Sequence, residues 1–134
     1  MTENNANPEE ADLTKLALGA ALAGWLVPGL GHLILRRWGR ALLYLVCVGG
    51  LAITGLLLRG NVFSPRSADA FDFLGFLADL GSGVFFFVAK SIERIGPDVS
   101  HAAGDYGTRF IAAAGVVNVL CALDAYEIAR GKKT

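Results

Sequence analysis

The stretch Ala41–Leu58 carries no charged side chain. A helix crosses a hydrocarbon core ~30 Å thick with about 20 predominantly apolar residues, so this stretch alone places the chain among proteins that meet lipid. Three further apolar segments accompany it: Leu16–Leu35, Phe73–Ala89 and Phe110–Ala129. Charged residues make up 18% of the chain and hydrophobic ones 54%; soluble domains carry about a quarter charged. Too little polar surface remains to clothe a water-soluble core. The expected fold class is all-α, an integral membrane helical bundle of three to four apolar segments, the first broken at Pro28. The expected organisation is a polar, unordered tail over residues 1–13, a membrane domain over 14–130 and a basic C-terminal tail over 131–134.

The first twelve residues hold Glu3, Glu9, Glu10 and Asp12, and no base precedes Lys15. A secretory leader begins with a positive region, so the first apolar segment is expected to be retained. That segment cannot be one straight helix. Pro28 lacks the N–H that would bond Gly24 and crowds that carbonyl, Val27 is pushed away from helical geometry, and Gly29 and Gly31 loosen the backbone further. Leu16–Val27 is expected to be helical and Pro28–His32 to be a kink or turn, the segment either crossing with a bend or dipping in and returning.

Segments two and four are the clearest spans. Tyr106 and Tyr126 bracket the fourth about 30 Å apart at 1.5 Å per residue, the spacing of two interfacial aromatic belts, with Arg109 and Arg130 beside them. The third is the weakest, because Asp79 sits at its centre at a cost of about 2.5–3.5 kcal/mol; a re-entrant course fits it as well as a crossing. With four crossings the basic residues divide evenly between the two sides, so the positive-inside rule selects no orientation. Placing both the Arg36-Arg37-Trp38-Gly39-Arg40 turn and the C-terminal basic cluster in the cytoplasm requires one intervening segment not to cross, and the third is the candidate.

Lys+Arg and Asp+Glu balance at 12 each, and no basic stripe interleaved with aromatics argues for nucleic acid. Cys47 and Cys121 lie in apolar runs and are read as buried small hydrophobes; no Cys/His cluster supports a metal site. HExxH, GxSxG and P-loop patterns are missing. Leu80-Gly81-Ser82-Gly83 is a nucleophile-like turn without the base a triad needs. No cofactor is implied, and the chain is not expected to be an enzyme. No internal repeat is visible, so an inverted-repeat transporter is not suggested.

Three polar residues stand out. His32 follows the helix break and is read as a cap on carbonyls that Pro28 frees, or as a proton or ligand site. Asp79, an ionisable group at membrane depth, is a functional candidate with His32, Asn118 or Lys90 as partner. Its alternative is a neutral carboxyl bonded to a neighbouring helix. Asn118 is read as interhelical glue.

The Trp25-Leu26-Val27-Pro28-Gly29-Leu30-Gly31-His32 stretch, the basic turn after it, and Tyr106-Gly107-Thr108, Asn118 and Asp124-Ala125-Tyr126 in the last segment resemble a family of uncharacterised small bacterial multi-pass membrane proteins. More loosely, the Gly-x-Gly-His turn is similar to that of two-transmembrane-helix domain proteins, where an aromatic stretch replaces Leu33-Ile34-Leu35-Arg36. Neither resemblance implies an activity. The expectation is a structural or accessory component of an assembly in the bacterial inner membrane, its partners the lipid bilayer and other membrane proteins or itself. The alternative is a small carrier or proton- or ion-conducting oligomer using Asp79.

Overall fold

The computed structural model describes residues 7–65, 69–94 and 101–134, with side chains from 103 onward in the last stretch. Among them the chain is all-helical: α1 Pro8–Leu26, α2 Leu30–Ile34, α3 Trp38–Leu57, α4 Ala70–Gly81, α5 Val84–Glu93 and α6 His101–Ala129. Helices α3 and α6 are each long and apolar enough to cross a bilayer; α4 and α5 together meet the same test but are bent by 117° at their break. Helix α1 takes in residues 8–13 of the polar tail, opening on Pro8 with Glu9 and Glu10 in its first turn, where Pro and acidic side chains suit the free N–H groups.

The break at Pro28 is present, and it turns the chain back. Helix α1 stops at Leu26, Gly29 adopts φ +83°, and α2 then runs beside α1. Gly31 lies so close that a β-carbon there would sit 2.2 Å from the Ala20 carbonyl oxygen; only glycine permits that approach. The first segment therefore folds back on itself. The third is bent as well, by 117°. Helix α4 runs from Ala70 toward the middle of α6, Gly83 turns at φ +62°, and α5 ends where Glu93 accepts a hydrogen bond from the Val62 N–H.

Helix α6 is the axis on which α1, α3 and α4 pack. Its buried positions Ile111, Ala114, Asn118, Cys121 and Ala125 recur at helical spacing and are mostly small, which lets backbones approach. Helix α3 meets it antiparallel through Val48 and Ala52. The outer surface is apolar, with Leu22, Leu42, Val46, Phe71, Leu74 and Leu120 all exposed. Cys121 is buried, whereas Cys47 is exposed; it lies on the outward face of α3, so the expectation of two buried thiols holds for one.

In element order the chain runs one course twice in opposite senses: a folded-back helix pair, then a long helix. That element-level repetition was not visible in the residues. Its consequence is electrostatic. Among the described residues, the start of α1, the 36–40 turn and the C-terminus share one end, with Lys15, Arg36, Arg37, Arg40, Arg130, Lys132 and Lys133; Arg59, Lys90, Arg94 and Arg109 lie toward the other. The even division expected from four crossings gives way to a basic end.

Candidate functional site

The two hairpin tips meet at the middle of α6, and Asn118 joins them. Its Nδ2 donates to the Trp25 carbonyl at 2.7 Å and to the Gly81 carbonyl at 2.9 Å. The Trp25 indole N–H donates across the junction to the Leu80 carbonyl at 3.1 Å. Both carbonyls belong to helix C-terminal turns, whose last four oxygens lack partners within the helix; at membrane depth no water would supply them. Asn118 thus acts as interhelical glue, tying α6 to the last turns of α1 and α4. Ser82 is buried beside it, its hydroxyl donating to the Asp79 carbonyl at 2.6 Å. The serine of the nucleophile-like turn is spent on closing α4.

Asp79 is fully buried. Its Oδ2 accepts the Phe63 N–H at 2.7 Å, and its Oδ1 has no hydrogen-bond partner. None of the three expected partners is the one it uses. The carboxyl instead fastens the 58–65 loop to the second hairpin, beside the Val62–Glu93 bond.

His32 is buried, but it does not cap the carbonyls that Pro28 frees. Around the turn, the Val27 and Leu30 N–H groups bond the Ala23 and Val27 carbonyls, and Asn118 takes that of Trp25. The imidazole is left to face a carboxylate. His32 Nε2 lies 3.0 Å from Asp124 Oδ2, which also accepts from the Tyr44 hydroxyl at 3.1 Å and from Arg40 at 3.3 Å. Lys133 reaches Asp124 Oδ1 at 3.3 Å and Glu127 at 2.6 Å; those two carboxylates hold the Lys133 ammonium above its ordinary value. Facing an ionised carboxylate, Nε2 must be the protonated nitrogen. The Tyr44 ring meets the imidazole edge-on at 4.6 Å.

This six-residue cluster on α2, α3, α6 and the C-terminal tail is the densest polar arrangement among the described residues. Sequence reasoning found His32 in it and passed over Asp124, Arg40 and Tyr44. An acid late in an apolar helix was the available signal, but partners 80 to 92 positions away leave no local trace. Among the described residues no group of three His, Cys, Asp or Glu could hold a metal ion.

A family model described as a family of unknown function (DUF6677) matches residues 19–134. The chain belongs to that family. The DUF6677 match takes in both hairpin tips, Asn118 and the whole Asp124 cluster. No solved structure matches the chain.

Proposed function

We propose that this DUF6677 protein is a structural or accessory component of a membrane assembly in the bacterial inner membrane. Helices α3 and α6 cross the bilayer, and the two hairpins enter from opposite faces and end at mid-depth. The basic end faces the cytoplasm, in line with the positive-inside rule.

One observation carries the reading: the hairpin tips are locked together rather than parted. Broken helices that meet at mid-depth in carriers offer their ends to a substrate. Here those ends bond Asn118 and the Trp25 indole, and a β-carbon on Gly83 would fall 2.0 Å from the Trp25 carbonyl oxygen. The apolar outer faces of α3 and α6 are what the molecule leaves for lipid or companions.

The test is single-cysteine labelling from each side of the membrane, in a variant lacking Cys47 and Cys121. Cysteines at Glu9, Arg37 and Thr134 are expected to label together from the cytoplasm, and those at Asn61 and Arg94 from outside. Opposite labelling of Asn61 and Arg94 would mean that α4 and α5 cross. Purification in mild detergent tests the role: recovery only as a lone monomer counts against an accessory component.

The unpartnered Oδ1 of Asp79 supports a second reading, a proton- or ion-conducting oligomer, since buried carboxyls line such paths. Reconstituted protein should then pass protons or cations under an imposed gradient, and Asp79→Asn should abolish the flux.

A further inference from the structure

Where α3 and α6 meet at the basic end, two adjoining cavities share Tyr44, Asp124 and Lys133. The outer, of about 730 Å³, is walled by Arg40, Lys132 and Lys133. The inner, of about 460 Å³, continues past Leu123 and Leu120 to Val117, which lies about 10 Å deeper along α6 than Asp124. One groove is thus cationic at its mouth and apolar along its depth.

Two carboxylates also face the mouth, and both are already engaged. Asp124 accepts from His32, Arg40, Tyr44 and Lys133, and Glu127 pairs with Lys133. They hold Arg40 and Lys133 in place and leave Lys132 without an ion pair among the described residues. Arg40, Lys132 and Lys133 line the mouth against these two carboxylates, and Arg40 also donates to the Thr134 main-chain oxygen at 3.0 Å.

We infer that this groove binds an anionic phospholipid, its phosphate against Arg40, Lys132 and Lys133 and an acyl chain along Leu123, Leu120 and Val117. Charge complementarity selects the headgroup, and basic pockets between membrane helices hold such headgroups by general electrostatics. The apolar wall requires a tail, which free phosphate lacks. The inference rests on the bilayer placement proposed above.

The experiment is native mass spectrometry of the full chain released from mixed micelles with equal phosphatidylglycerol and phosphatidylcholine. Retention should favour phosphatidylglycerol by at least about fivefold, the discrimination one basic residue near a headgroup provides. The R40A/K132A/K133A variant should retain both lipids equally, while R59A/R94A at the far end keeps the preference. Leu120→Trp, which fills the apolar wall, should lower phosphatidylglycerol retention. Should the triple variant fail to fold, Lys132→Ala alone carries the test, because that side chain forms no ion pair among the described residues; it should weaken the preference.

Equal retention by the native chain, an unchanged preference in the triple variant or in Lys132→Ala, or displacement by excess inorganic phosphate overturns the site. Equal retention leaves the bilayer placement standing. Recovery of native chain soluble without detergent or lipid removes both.

Discussion

The side-chain amide of Asn118 lies 2.7 Å from the carbonyl oxygen of Trp25, a residue 93 positions earlier in the chain. That bond ties the tip of the first hairpin to the central helix, and the second bond of the same amide, to Gly81, ties the other tip to the same point. Asn118→Ala leaves two helix-end carbonyls without donors and opens a small void. Buried hydrogen bonds in membrane proteins average about 0.6 kcal/mol and reach about 1.7, so the loss should be about 1–3 kcal/mol in denaturant unfolding from detergent. Val119→Ala, at a partly exposed position beside it, should cost less than Asn118→Ala.

Gly83 should tolerate no side chain. Its φ of +62° and ψ of −122° suit glycine alone, and a methyl would strike the Trp25 carbonyl. Strain of about 1–3 kcal/mol adds to overpacking of similar size, so Gly83→Ala should destabilise by about 2–5 kcal/mol. Gly50→Ala is the contrast: Gly50 is helical with open space around it, and alanine there should stabilise by about 1 kcal/mol through helix propensity. Thermal melts in detergent compare the two.

Asp79 serves the fold through one oxygen. Asparagine retains an acceptor for the Phe63 N–H, so Asp79→Asn should unfold within about 1 kcal/mol of the native chain. Asp79→Ala strands that N–H and should cost about 1–3 kcal/mol. If Asp79→Ala proves as stable as Asp79→Asn, the bond to the 58–65 loop contributes nothing.

His32 and Asp124 should be energetically coupled. A double-mutant cycle with His32→Ala and Asp124→Ala should return about 0.5–3 kcal/mol, the range for residues in one network. The cycle pairing His32→Ala with Asp79→Ala, which lies in the second hairpin and shares no partner with His32, should be additive within about 0.5 kcal/mol. Coupling of equal size in both cycles would mean that global loosening, not the 3.0 Å contact, sets the value.

Local physics was legible without the fold. The apolar runs mark α3 and α6 because hydropathy over a helix length is a property of consecutive residues. The end of α1 before Pro28 follows from a missing N–H and a steric clash, both within one helical turn. Placing the basic turn and the C-terminal cluster on one side needs one intervening segment not to cross, with the third as candidate, and the third is bent by 117° at its break.

Tertiary structure decided the rest. Gly29 and Gly31 allow a kink or a reversal equally well; the reversal follows from Ala20 and Ala125 closing on Gly31, contacts that periodicity cannot encode. The same holds for the polar residues. Sequence marked His32, Asp79 and Asn118 as out of place in apolar surroundings, because a buried polar group must find a partner. Which partner it finds depends on where helices cross, and the donors and acceptors that met them lie from 16 to 93 positions away. Composition determined that these groups would be buried, whereas packing against α6 determined what they hold.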